Sequence, residues 1–198
     1  MASLKGTETH KNLMRAFAGE SQARNRYTFF AEIAKKQGYP LIEKTFLYTA
    51  DQEQAHAKAF FEYLATEFNG EEIEIDAAYP VDYYQENTLQ NLLASVEAEA
   101  HEHNEVYPAF AEVAKKEGFN QIAATFSMIA KLEEVHSKRF ATIVKELKEE
   151  TLFKKATPVA WHCEVCGHIH YGVAAPAICP VCKHAKGFFK AEQEQAQN

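Results

Sequence analysis

The sequence predicts a mainly α-helical chain: a four-helix bundle with one long crossover, followed by a small C-terminal metal domain. Two observations predict this. The first 150 residues carry a duplicated pair of amphipathic helical patterns, and all four cysteines fall in one C-x2-C-x12-C-x2-C run near the C-terminus.

The duplication is read directly. Shifted by 80 residues, "YTFFAEIAKKQGY" aligns with "YPAFAEVAKKEGF" and "TFLYTADQEQAHAKAF" with "TFSMIAKLEEVHSKRF", so that 16 of the 34 positions from 27 to 60 are identical. A pair of amphipathic helices cannot bury its apolar stripe alone, whereas two pairs can cover one another. Gly38 and Gly118 punctuate each half, which places helices at 7–36, 40–67, 88–117 and 120–148. Pro108 falls inside the third, where a kink is expected. Residues 69–87, with Gly70 and Pro80, lack helical periodicity and suit a crossover along the bundle. The domain division is 1–150 for the bundle, 151–158 for a linker and 159–198 for the second domain, with "AEQEQAQN" as a frayed tail.

Charge narrows the function. The net charge of −7, from 21 basic and 28 acidic residues with no Lys/Arg-rich run, gives no footprint for nucleic acid or an anionic membrane. "MASLKGTETHKN" has no apolar signal core and no segment is long and apolar enough to span a bilayer, so a cytoplasmic protein is expected.

The stripes themselves carry an anomaly. Counting seven residues, or two helical turns, puts Glu20 between Leu13 and Tyr27, and Glu53 between Phe46 and Phe60. Glu99 likewise lies between Leu92 and Val106, and Glu133 between Phe126 and Phe140. Two helices add a histidine one turn on, as Glu53-x-x-His56 and Glu133-x-x-His136. Taken singly, each would be an ordinary bundle-edge residue reaching water; four helices in one register are not explained that way. Unpaired buried carboxylates cost several kcal/mol each, so cations are required. One Glu from each of two helices plus Glu-x-x-His from each of the others is the donor set of carboxylate-bridged di-iron or di-manganese bundles of the ferritin-like kind. Glu102, one turn beyond Glu99, is a carboxylate the minimal site does not need. Tyr27 and Tyr107 correspond across the repeat and read as core aromatics whose hydroxyls find a partner, a ligating carboxylate among the candidates. His101 and His103 face other ways and read as surface or edge residues.

Cys163, Cys166, Cys179 and Cys182 have the spacing of a tetrahedral four-thiolate site. Spacing leaves zinc and a single iron both open. The nearby His162, His168, His170 and His184 are surplus to a complete set of four.

Together, "FAGESQARNRY", the paired Glu-x-x-His motifs, "EAEAHEHNEVYP" and the "CEVCG" and "CPVC" knuckles resemble the rubrerythrin family over almost the whole chain. One departure is Lys183, where many rubredoxins carry Gly. The resemblance implies a ferritin-like bundle with a rubredoxin-like domain. It implies a pair of non-haem irons on Glu20, Glu53, His56, Glu99, Glu102, Glu133 and His136, with Glu53 and Glu133 bridging, and a third iron, or zinc, on the four cysteines. It implies reduction of hydrogen peroxide to water in oxidative-stress defence, with electrons from a rubredoxin or an NAD(P)H-dependent reductase entering through the rubredoxin-like centre. One iron is expected to exchange Glu102 for His56 on reduction, and the chain to form a head-to-tail homodimer or higher oligomer. The alternative, a ferroxidase or oxygen-reducing di-iron protein, gives no purpose to the attached electron carrier; a zinc-bound interaction module leaves the buried carboxylates idle.

Overall fold

The computed structural model describes residues 3–192, so most of the tail expected to fray lies outside the described residues. Helix α1 spans Glu8–Lys36 and α2 Pro40–Phe68; α3 is Thr88–His101, α4 Tyr107–Lys116 and α5 Asn120–Lys148. Thr7 caps α1 by accepting from the His10 N–H, and Glu8 favours the positive helix end. The chain leaves α1 through Gly38 at φ +81° and leaves α4 through Gly118 at φ +89°, backbone angles that only glycine adopts without strain. Pro40 then opens α2, where its missing N–H costs no helical bond. Each repeat is thus an antiparallel helix pair closed by the same turn.

The third predicted helix is not continuous. Glu102–Val106 forms a π turn between α3 and α4. Pro108, lacking an N–H, sits in the first turn after it. The extra residue in the wider turn rotates all that follows, which corrects one sequence expectation: Val106 is only partly buried, and Tyr107 takes the core position instead at 1% exposure.

The crossover from 69 to 87 has no regular structure and runs the length of α1. Arg15 pairs with Asp76 at 2.7 Å, the Tyr79 hydroxyl donates to the Arg15 carbonyl at 2.7 Å, and the Gln37 amide donates to the Glu86 carbonyl at 2.5 Å. Its backbone polar groups are met along the way by such side chains, as Asn91 meets Tyr84 through N–H and C=O alike.

Strands β1 (Lys154–Cys163), β2 (Ile169–Ala174) and β3 (Phe189–Ala191) form an antiparallel sheet in the order β2-β1-β3 around buried Trp161. β1 begins inside the segment read as linker. Its register shifts between Lys154 and Val159, and Pro158 falls in that irregularity, where no ladder hydrogen bond is lost. Phe153 stacks on Tyr39 at 6.3 Å, and a Cβ on Gly187 would stand 2.8 Å from Pro40 Cδ. The small domain therefore seats its Gly187 backbone against the α1–α2 turn. Gly187→Ala should weaken this seating by about 1–3 kcal/mol through overpacking. Faster proteolysis near residues 150–155 would register it; a wild-type cleavage rate would mean the contact contributes nothing.

Candidate metal centres

The four stripe carboxylates meet at mid-bundle. Glu20, Glu53, Glu99 and Glu133 are each at most 1% exposed, between two aromatic clusters. On one side Tyr107, Phe60 and Phe126 pack with ring centroids 5.0–6.0 Å apart; on the other Tyr27, Phe46 and Phe140 do so at 5.2–6.0 Å. The gap between them is buried and acidic.

Its arrangement is two-fold. His56 Nδ1 lies 3.2 Å from Glu53 and 2.9 Å from Glu133, and His136 Nδ1 lies 3.0 Å from Glu53 and 2.7 Å from Glu133. Each of these two carboxylates therefore touches both histidines with separate oxygens. Glu20 completes the His56 side at 3.9 Å and Glu99 the His136 side at 3.4 Å, while the imidazoles stack with centroids 5.6 Å apart. Donor atoms fall into two overlapping sets, Glu20–Glu53–His56–Glu133 and Glu53–Glu99–Glu133–His136. The outer oxygens are held from the opposite repeat: Tyr107 donates to Glu20 and Tyr27 donates to Glu99. Both tyrosines are thus partners of the cluster carboxylates.

Glu20 Oε2, Glu53 Oε1, Glu99 Oε2, both oxygens of Glu133 and His136 Nδ1 are buried with only these ion contacts and no well-directed hydrogen bond. Six such ligand atoms facing one gap fit a pair of cations, and mixed oxygen and imidazole donors suit iron or manganese. Without metal, protons balance the charge. Burial, then repulsion by neighbouring carboxylates, raises the Glu20 and Glu99 carboxyls well above their usual range. Burial opposes charge on the imidazoles, but Glu133 and Glu53 push His56 up to about 9 and His136 up to about 12. Burial also opposes ionisation of Glu53, yet contacts from His136 and His56 hold it down at about 2.

Glu102 stands apart. It is half-buried at the start of the π turn, belongs to neither donor set, and lines a cavity of about 300 Å³ beside the cluster. Burial, then Glu133 and Glu53, pushes its carboxyl up to about 8. The π turn was missed from sequence, although a signal was there. Tyr27 and Tyr107 are 80 apart but Glu20 and Glu99 only 79, so one residue has been added between Glu99 and Tyr107. His101 is exposed, and His103 meets the Ala130 carbonyl at 2.7 Å, as expected of edge residues.

The four cysteines also converge, with Sγ atoms of Cys163 and Cys182 3.6 Å apart and of Cys166 and Cys179 3.7 Å apart. Each C-x-x-C folds into a knuckle in which the Gly167 and Lys183 N–H groups donate to the Cys163 and Cys179 carbonyls at 2.8 and 3.0 Å. Lys183 keeps this geometry at φ +63°, a left-handed angle costing a non-glycine residue about 1–2 kcal/mol. Burial would raise the Cys179 thiol, but backbone N–H groups of Cys182 and Val181 bring it to about 6, favouring the thiolate a metal needs.

Residues 11–144 match the rubrerythrin family model, and residues 161–190 match the model of the rubrerythrin rubredoxin-like domain. The chain belongs to the rubrerythrin family. A rubrerythrin of Clostridium perfringens is 47% identical over 194 residues, spanning 98% of this chain and 99% of that protein. The structure of fully reduced, all-ferrous nigerythrin is 30% identical with a TM-score of 0.63, covering 96% of this chain and 89% of that one. A bacterioferritin of Desulfovibrio desulfuricans, 21% identical, shares the bundle fold with a TM-score of 0.64 over 73% of this chain and 82% of its own. The architecture is thus a ferritin-like bundle with a rubredoxin-like domain, and iron fits both centres of this rubrerythrin-family chain.

The proton balance yields a test. His56, His136, Glu20 and Glu99 bind protons more tightly folded than unfolded, so their stabilisation is lost as pH rises from the unfolded values toward the raised ones. Glu53 works in the opposite sense, losing its contribution only as pH falls toward about 2. The metal-free bundle should therefore melt at progressively lower temperature between about pH 5.5 and about 9, followed by helical circular dichroism. A midpoint that climbs over this range would contradict the assignment.

Proposed function

We propose that the chain is a non-haem di-iron peroxidase that reduces hydrogen peroxide to water, in defence against oxidative stress. A rubredoxin or NAD(P)H-linked reductase supplies electrons through the four-cysteine iron. The observation that carries this is the presence, on one chain, of a buried carboxylate–imidazole cluster whose ligand atoms fall into two sets and of a four-thiolate site, which with iron would be a one-electron carrier. In this reading Glu53 and Glu133 would be shared by the two ions, Glu20 and His56 would hold one, Glu99 and His136 the other, and Glu102 would be a spare ligand. Bound and reduced, an iron pair here would supply two electrons for cleavage of the O–O bond, and an iron on the four cysteines would replace them one at a time.

The chain's own residues do the rest. Tyr107 and Tyr27 fix the outer carboxylates by donating to Glu20 and Glu99, which sets the oxygens that face the cations. The flanking phenylalanines keep bulk water from the pair. Peroxide, two electrons and two protons give two waters. Glu102, which borders the cavity beside the cluster, is the acid we assign to deliver one of those protons.

Assembly follows from the seating of the small domain. Gly187 lies against Pro40, and Glu53 is thirteen positions further along α2, or about 20 Å of helix. A small domain seated about 20 Å along α2 from its own chain's cluster supports a head-to-tail dimer in which each small domain serves the partner's bundle.

Two experiments test these readings. Iron-loaded protein, reduced without oxygen, should regain the visible colour of its four-thiolate iron rapidly on adding stoichiometric hydrogen peroxide, and far more slowly in air. Faster return in air would overturn the peroxidase reading in favour of an oxidase or ferroxidase. Separately, mixing Glu53→Ala chains with Cys163→Ser chains should restore up to roughly a quarter to half of peroxide turnover from two inactive preparations. No recovery after verified subunit exchange would argue against transfer between chains.

A further inference from the structure

The cavity beside the cluster holds a cation with no assigned task. It lies under the crossover, between Gly19, Gln22 and Arg26 of α1, Tyr79 of the crossover, and Glu102 and Tyr107 beyond α3. Arg26 is 7% exposed, and its Nε and Nη1 have no hydrogen-bond partner. Its ion partner, Asp82 of the crossover, is 3.7 Å away and one-third exposed, too distant for a hydrogen bond. A buried guanidinium with unmet donors is costly, and such a group persists where an acceptor can reach it. The carboxylate sharing this cavity is Glu102, the one predicted ligand outside both donor sets.

Three features converge on a movable side chain. The cavity gives Glu102 room, the π turn places it where the helical ladder is already interrupted, and Arg26 offers a planar fork suited to a carboxylate. We propose that Arg26 is the positioning residue for Glu102, receiving its carboxylate whenever that carboxylate is withdrawn from the metal pair. Resting on the di-metal reading above, this gives Glu102 two defined anchorages, the cluster and Arg26. Asp82 holds the guanidinium in the cavity from the solvent side without satisfying it.

The test uses the full chain with spectroscopically silent zinc in the four-cysteine site and cobalt(II) in the bundle. Cobalt d–d absorption weakens as coordination number rises, so it reports whether Glu102 is bound, independently of turnover. In wild type Glu102 should rest on Arg26 and the bands be relatively strong. Arg26→Gln should release Glu102 onto the metal, weakening the bands by roughly two- to threefold. Arg26→Lys, which keeps the charge but not the fork, should shift them partway. In a Glu102→Gln background neither substitution should change the bands, because the carboxylate whose position they control is gone.

An equal change with and without Glu102 would overturn the proposal while leaving the metal site intact. So would unchanged bands in Arg26→Gln, since Glu102 would then keep its position without the guanidinium. Failure of the wild-type bundle to bind two cobalt ions would overturn the di-metal reading and the Arg26 proposal with it. Normal cobalt uptake with the predicted band pattern, but no peroxide reaction in the iron protein, would support Arg26 and reject only the peroxidase.

Discussion

Everything in the bundle answers to one constraint: four carboxylates lie where an apolar core should be, and their charge must be met from inside. Glu20, Glu53, Glu99 and Glu133 are too deeply buried for water to solvate them. Their mutual repulsion would consume a large part of the ~5–15 kcal/mol by which a domain is stable. Two imidazoles placed so that each touches both Glu53 and Glu133 solve this with protons in the metal-free chain and with cations in the loaded one. The long helices and aromatic walls hold those donors at fixed separations, so the same packing that makes the site costly also makes it selective.

The two-fold symmetry of this cluster is broken at one place. The first repeat passes from Glu20 to Tyr27 by regular helix, whereas the second passes from Glu99 to Tyr107 through a π turn carrying Glu102. That single added residue keeps both tyrosines on their carboxylates while bringing a further acid and a cavity to one side only. Asymmetry of this kind makes the two halves of the cluster chemically different. The crossover closes the cavity, with Tyr79 and Asp82 meeting α1 at Arg15 and Arg26.

Much of this was legible in the sequence because it depends on short-range periodicity. The helix bounds at Gly38 and Gly118, the seven-residue register of Glu20, Glu53 and Glu133, and the cysteine knuckles all follow from local rules that require no knowledge of neighbours. Val106 was misplaced because a seven-residue count assumes an unbroken α-helix. The one-residue discrepancy between the repeats marked the break, but an α-helix does not itself say how an added residue is absorbed. The start of β1 at Lys154 was hidden because an irregular strand interrupted at Pro158 carries little alternation.

By itself, then, the sequence determined the duplicated helix pairs, the identity of the donor residues and their division into two centres, since spacing along one helix dictates which side chains share a face. Only the tertiary structure decided which oxygens face which imidazole, that each tyrosine crosses to the other repeat's carboxylate, and that Glu102 and Arg26 border one cavity. Those relations join residues on different helices, and the angle and rotation at which helices pack are set by the whole interior.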